Sequence, residues 1–304
     1  MTLKGQNFRI LTLSGGKYKC IGMATNCTVT MTNNTEDASH KDIVGMAAAP
    51  VVTTQGWSVQ VDSLSVADIS AILTAINSQT LFTLLWDETS TADNQTGETA
   101  AFARTGTAFL NDVTFNFNDR ENATKSLQFT GSGKLDTVSG TPTYEAVSVD
   151  SFTKGQFVRL FLSSNNTDSP SKVIAGAKQL SLHVNLTLED ATTKDTDGDW
   201  VVQEATALNY DISTTALVRS GDTIATTQGV AAGQALNDVE TIYKNHTPVK
   251  WLIANVSGAN QRVKGNTIVS GSVLLTQLTL NGPNRQSADY TAQLAGYGAY
   301  TVGS

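Results

Sequence analysis

The sequence predicts a mainly β protein made of two tandem antiparallel domains, each with one packed α-helix. Three observations predict it. The stretch Glu36-Asp37-Ala38-Ser39-His40-Lys41-Asp42 returns as Glu189-Asp190-Ala191-Thr192-Thr193-Lys194-Asp195, 153 residues later, with five of seven positions identical. Lys4-Gly5-Gln6 with Arg9 returns as Lys154-Gly155-Gln156 with Arg159 at an offset of 150, and Gln128-Phe129-Thr130-Gly131-Ser132-Gly133 is echoed by Gln293-Leu294-Ala295-Gly296-Tyr297-Gly298 at 165. A period near 150 residues is one whole domain rather than a solenoid repeat. The third observation is composition. With 40% apolar and 15% charged residues, and abundant Thr, Ser, Asn and Gly, the chain favours strands and turns over solvated helices. The reading is a first domain over 1–136, a linker over 137–153 and a second domain over 154–304, with two cores of ordinary size.

Phe8 to Leu13 reads as a strand that Ser14-Gly15-Gly16 turns back through Tyr18 to Ile21. Cys27, Val29 and Met31 then alternate with Thr28, Thr30 and Thr32, and in the other half Leu180, Leu182, Val184, Leu186 and Leu188 alternate with Ser181, His183, Asn185 and Thr187. Period two marks one buried and one wet face. Residues 36–54 and 189–207 follow no period and are expected to be long exposed loops. Strands resume at 57–62, with Trp57 in the core, and at 208–212.

Ile69, Ile72, Leu73 and Ile76 lie at helical spacing behind Ser65 and Asp68 as a cap. Val239, Ile242 and Tyr243 do so behind Asn237 with Glu240. A helix with one apolar stripe must pack on a sheet. Leu81 to Trp86 and Val249 to Ile253 return to strand, and 87–106 reads as a polar surface loop. Each half closes on a hairpin: Val113 to Phe117 with Ser126 to Phe129 across the turn Asp119-Arg120-Glu121-Asn122, and Val273 to Leu280 with Tyr290 to Leu294 across Asn281-Gly282-Pro283-Asn284.

The net charge of −7 is uneven. Residues 1–150 carry 9 basic against 15 acidic side chains, and 151–304 carry 11 against 12. That balance argues against gripping phosphates. No apolar run follows Met1-Thr2-Leu3-Lys4-Gly5 and no 18-residue apolar segment occurs, so folding in a cytoplasm is expected. There Cys20 and Cys27 are expected to be buried free thiols, a bond between them being the alternative. Gly131-Ser132-Gly133-Lys134 lacks phosphate-loop spacing and reads as a hairpin end. Asp195-Thr196-Asp197-Gly198-Asp199 places Gly at the wrong position for a calcium loop and reads as a solvated acidic loop. His40, His183 and His246 have no second ligand at metal spacing, and His183 belongs on a wet strand face. No catalytic residue, cofactor or metal is expected.

A long amphipathic strand, an entry Glu-Asp-Ala-Ser/Thr-x-Lys-Asp into a long loop, a further strand and one helix resemble the major tail tube protein of long-tailed bacteriophages. The best match is Glu189 through Lys194-Asp195-Thr196-Asp197-Gly198-Asp199-Trp200, and the Lys-Gly-Gln opening is also similar to that family. The first copy departs from it after Asp42. The resemblance covers nearly the whole chain as two copies. It implies a tandem pair of β-sandwich or barrel domains with flanking helices, a structural virion protein whose rings close from six such domains and stack into the tube through which DNA leaves the capsid. Two domains per chain then imply a trimeric ring with pseudo-sixfold symmetry, assembled in the host cytoplasm, with tape-measure, terminator and distal tail proteins as partners, and with DNA passing through the lumen without specific binding. Other readings are a baseplate or terminator ring, the tube of a phage-derived injection machine, and a β-rich adhesin or carbohydrate-binding module. Candidate ring-stacking residues are Glu36, Asp37, Lys41, Asp42, Glu189, Asp190, Lys194, Asp195, Asp197, Asp199 and Trp200, with Trp200 open to a core or an interface role.

Overall fold

The computed structural model describes residues 4–43, 48–64, 66–90, 92–146, 153–196, 198–219, 233–257 and 262–303. It is mainly β, as the composition requires. Strands β1 (Phe8–Ser14) and β2 (Lys17–Cys20) form a hairpin across Gly15 and Gly16, both at positive φ, which the missing Cβ makes accessible. Then come β3 (Ala24–Asp37), β4 (Pro50–Ser63), helix α1 (Ile69–Asn77), β5 (Leu81–Glu88), β6 (Arg104–Asn118), β7 (Thr124–Gly131), and the short β8 (Asp136–Thr137) and β9 (Tyr144–Glu145). The second half holds β10 (Val158–Leu162), β11 (Lys172–Val173), β12 (Ala177–Asp190), β13 (Gln203–Leu217), helix α2 (Leu236–Asn245), β14 (Val249–Ser257), β15 (Val263–Asn281), β16 (Asp289–Gly296) and β17 (Thr301–Val302).

Antiparallel pairing runs β2-β1-β5-β6-β7-β4-β3 in the first half and β11-β10-β14-β15-β16-β13-β12 in the second, the same path strand for strand. Even the irregularities recur. β6 bulges at Asn111 and β15 at Thr276; β3 bulges at Thr25 and β12 at Lys178, and β4 at Thr53 and β13 at Thr206. A bulge inserts one unpaired residue and re-aims the strand, so matched bulges mean matched strand curvature.

The echoed sequence motifs have local causes. Lys-Gly-Gln opens a single 3-10 turn in each half, Gly5–Asn7 and Gly155–Phe157. The arginine that follows donates from Nη2 to the carbonyl of Ile21 (Arg9, 3.4 Å) or Ile174 (Arg159, 3.2 Å). Gly131 and Gly296 leave room for an aromatic of the neighbouring strand. A Cβ on Gly131 would stand 2.2 Å from the Trp57 ring, and one on Gly296 2.6 Å from the Tyr210 ring. Trp57 Nε1 donates to the Gly133 carbonyl (3.1 Å) and Tyr210 Oη to the Ser272 carbonyl (2.6 Å). Each ring also packs at an angle against a tryptophan of the next strand, Trp86 edge-on or Trp251 tilted. Trp57 is buried, as expected.

The halves are joined. β12 pairs antiparallel with the far end of β6, from Gln179↔Asn118 to Asn185↔Asp112, so one sheet runs through both. The inward side chains Phe115 and Phe117 then abut Leu180 and Leu182, and the apolar interior is continuous across the junction instead of forming the two expected cores. Helix α1 buries Ile69, Ile72, Leu73 and Ile76 and is braced from the other half by Tyr300, whose hydroxyl donates to the Leu73 carbonyl (2.9 Å).

Other expectations change. Residues 36–37, 50–54, 189–190 and 203–207 are strand, so the two long loops shrink to 38–49 and 191–202 at the ends of projecting hairpins. Their mix of Glu, Asp, Thr, Val and Ala hid these strands, because both of their faces largely meet water and no alternation survives. Within 87–106, Asp87 is fully buried at the end of β5. It accepts N–H groups from Glu88, Thr99 and Ala100 and the Tyr144 hydroxyl, which organises the connection that follows. The first part of the expected linker is bound to the first half, since β8 pairs with β6 and β9 pairs parallel with β2; residues 147–152 lie outside the described residues. Ser65 also lies outside them. Asp68 makes no cap bond and pairs with Lys125 instead, and α2 starts before Asn237, with Asp238 Oδ2 accepting the Ala235 N–H (3.0 Å). Tyr243 is exposed rather than part of the buried stripe.

Candidate assembly surfaces

The most repeated motif closes a turn. Glu36 and Asp37 end β3; Glu189 and Asp190 end β12. Asp37 Oδ1 accepts the Ser39 N–H (2.9 Å) and its hydroxyl, and Asp190 Oδ1 accepts the Thr192 N–H (2.8 Å). The hydroxyl then reaches across the loop: Ser39 Oγ accepts the Ala49 N–H (3.1 Å), and Thr192 Oγ1 the Val202 N–H (3.0 Å). Hydrogen bonds from Ser39 and Thr192, hydroxyl first and backbone second, hold both carboxyls below the usual carboxylate range. Asp-Ala-Ser/Thr is thus an Asx-type turn that a free Asp makes best. Lys41, Asp42, Lys194, Asp195 and Asp199 are exposed on the loops; Asp197 lies outside the described residues.

The two loops differ in what they touch. The second is docked on the first half. The Asp199 carbonyl accepts the Gln55 N–H (2.6 Å), Val201 N–H donates to the Gln55 carbonyl (2.9 Å), and the Val201 carbonyl accepts the Gly133 N–H (2.8 Å). Ser132 Oγ accepts the Gln203 N–H (2.9 Å). Trp200, half-buried between these bonds, packs against the apolar interior and pairs with Gln55 of the first half. Around 38–43 and 48–49 every side chain but Ile43 and Ala49 is exposed.

The strand edges differ in the same way. β12 has β13 on one side and β6 on the other, whereas β3 pairs only with β4 among the described residues. By the common offsets Met31 stands where Val184 does, and Leu280 where Phe115 does. Val184 and Phe115 are 1% and 0% exposed, but Met31 and Leu280 are 67% and 58% exposed. Two large apolar side chains are wet only where the partner strand is missing.

The outward face of this sheet is polar. Asp112, Thr114 and Asn116 on β6, Ser126, Gln128 and Thr130 on β7, and Ser181, His183 and Asn185 on β12 alternate with buried neighbours. None of these positions, nor the matching ones on β4 (58–62), β13 (209–215) and β16 (291–295), holds Lys or Arg; Lys125 of β7 points inward. His183 sits on the junction itself. Its Nε2 lies 2.8 Å from Asp112 Oδ2 and its Nδ1 2.8 Å from Asp211 Oδ1. Partial burial opposes its charge, but hydrogen bonds donated to the Asp112 and Asp211 carboxylates outweigh that and raise its pKa. Sequence alternation placed His183 on the wet face. Its partners needed the register of three strands.

A cavity of about 780 Å³ lies under α1, lined among others by Ile72, Leu110, Leu127 and Phe129 with Arg9, Cys20 and Asp68 at its polar end. Burial pushes the Cys20 thiol up to about 11, which keeps it protonated and weakly nucleophilic. Cys20 and Cys27 are both free.

No family model and no curated protein matches the sequence. Among the solved structures that match this chain are two from gene transfer agent particles. One is the tail of an empty gene transfer agent particle computed with helical refinement in C6 symmetry, 17% identical over 49% of this chain and 98% of the other, with a TM-score of 0.38. The second is the virion of a native gene transfer agent particle, at the same identity and coverage, with a TM-score of 0.35.

Proposed function

We propose that this chain is a structural, non-enzymatic tail tube protein of the phage type, a tandem duplication of one tube domain that assembles into rings and stacked tubes. One observation carries the reading. The chain contains a finished junction between two like units, β6 on β12, while among the described residues the counterparts of both strands, β15 and β3, keep their edges open. An open edge is a template for another chain, and a head-to-tail contact repeats until it closes or runs on as a filament. The sequence resemblance supplies the number: three chains present six units to one ring. The polar face, carrying Asp62, Asp112 and Asp211 without Lys or Arg, suits the wall of a conduit, since phosphates are not held there. Among the candidate stacking residues, Asp37, Asp190, Asp199 and Trp200 are engaged within the chain, which leaves the exposed Lys41, Asp42, Lys194 and Asp195 to contact a second ring.

Negative-stain electron microscopy of the concentrated protein, with light scattering for mass, tests the proposal. Hollow rings or tubes built from multiples of three chains are expected. A protein that stays strictly monomeric at high concentration overturns it.

A further inference from the structure

Resting on that reading, we propose that β3 of one chain adds to β15 of a second copy in a fixed register, with Thr30 opposite Thr279 and Met31 opposite Leu278. The internal junction is the template. There His183 faces Thr114 and Val184 faces Val113. β12 matches β3 at an offset of 153, through both bulges, and β15 matches β6 at 165, through its own. Carrying the pairs across gives the register without adjustment.

Three independent features of the free chain fit the same partner. Met31 and Leu280, wet here, fall at the positions that Val184 and Phe115 bury in the internal junction. Gly155 is pressed against the end of β6, where a Cβ would meet the Asn118 carbonyl at 2.3 Å, while its counterpart Gly5 has nothing within 4 Å. Ala48 stands where Val201 does, and Gly298, which corresponds to Gly133, carries an open backbone turn beside the exposed Tyr297. Each is a contact made once inside the chain and left unmade at its outer ends. The strand-side end of the 38–49 hairpin, at 48–49, accordingly clasps a neighbour within the ring, as 199–202 clasps the first half.

The register is tested by cross-linking. In a Cys27→Ser background, Thr30→Cys with Thr279→Cys is expected to give disulfide-linked dimers and trimers on non-reducing gels after diamide oxidation. Thr30→Cys with Leu280→Cys, one residue off and on the opposite face, is expected to give none. Because both side chains are exposed in the free chain, Met31→Asp and Leu280→Asp should leave its thermal unfolding unchanged while abolishing large particles in light scattering. Rings that form without the Thr30–Thr279 cross-link, or that survive Met31→Asp, overturn the register and leave the tube reading standing. A wild-type chain that is monomeric and gives no cross-link overturns both.

Discussion

The two halves share a strand path, bulges, an arginine brace and an aromatic seat, yet they differ at the base of the helix. In the first, Lys125 is fully buried beneath α1 with its Nζ 2.7 Å from Asp68 Oδ2, and burial lowers its pKa even though Asp68 opposes the shift. The position matching Lys125 is Tyr290, and the one matching Asp68 is Ala235. Tyr290 is fully buried, its hydroxyl has no hydrogen-bond partner among the described residues, and desolvation first and the charge of Asp238 second push it up to about 12. One fold therefore supports its helix with an ion pair in one copy and a ring in the other. What the fold requires there is volume under the helix start; the charge is optional.

Features kept in both copies should cost most when broken. Trp57→Ala empties a buried seat, and removing a core aromatic typically costs about 3–5 kcal/mol. Gly131→Ala overfills the same seat, with an expected loss of about 1–3 kcal/mol. Because the two changes act on one cavity, the double variant should be less destabilised than the sum of the singles. Denaturant midpoints measure all three. Equal additivity would show that Gly131 serves the backbone rather than the ring. The matching pair, Tyr210→Ala and Gly296→Ala, should behave alike, and a much smaller effect there would break the equivalence of the halves.

The ion pair predicts an asymmetry. Asp68→Ala alone leaves Lys125 buried and unpaired, at an expected cost of about 1–3 kcal/mol, because an orphaned polar group keeps its desolvation penalty. Asp68 is itself half exposed, which puts the value toward the lower end. Asp68→Ala with Lys125→Met copies the uncharged base of the second half and should recover wild-type stability or exceed it. A double variant as weak as Asp68→Ala would mean that the pair specifies the helix position and that volume alone does not suffice.

Much of this architecture was legible in the sequence. Wherever one face is buried, as in β12 or α1, periodicity gives the element and its inward residues, and the echoed motifs mark the turns and braces that recur. The hairpin arms were not legible, since the far ends of β3 and β4, Glu36-Asp37 and Pro50 to Thr53, are exposed on both faces and show no alternation. Nor was the junction. Phe115 and Leu182 read as core in either half, and only pairing shows that they are core to each other. Asp68 illustrates a third kind of limit: three residues beyond a Ser it fits a capping box, but a lysine 57 positions later captures it.

The smallest effect concerns the junctions themselves. Inside the chain His183 lies between Asp112 and Asp211, facing Thr114 across β6, with no Lys or Arg on the matching positions of β6, β12 or β13. At the outer junction the matching residues are Thr30, Gln277 and Ser58, none of which titrates near neutrality. The folded-state pKa of His183 is raised above its unfolded value, so its contribution is fully present below about pH 6.5, the ordinary histidine value, and fades as pH climbs through the folded value. With a third of the side chain in water the contribution should stay under about 1 kcal/mol. Unfolding midpoints of the free chain should therefore fall slightly from pH 6 to pH 8, and His183→Gln should flatten that slope. Assembly across β3 and β15 should not follow the same curve, because no histidine stands there. If ring formation and chain stability lost ground together over this range, and His183→Gln removed both losses, the internal junction would be yielding within the ring and the two junctions would not be independent copies of one contact.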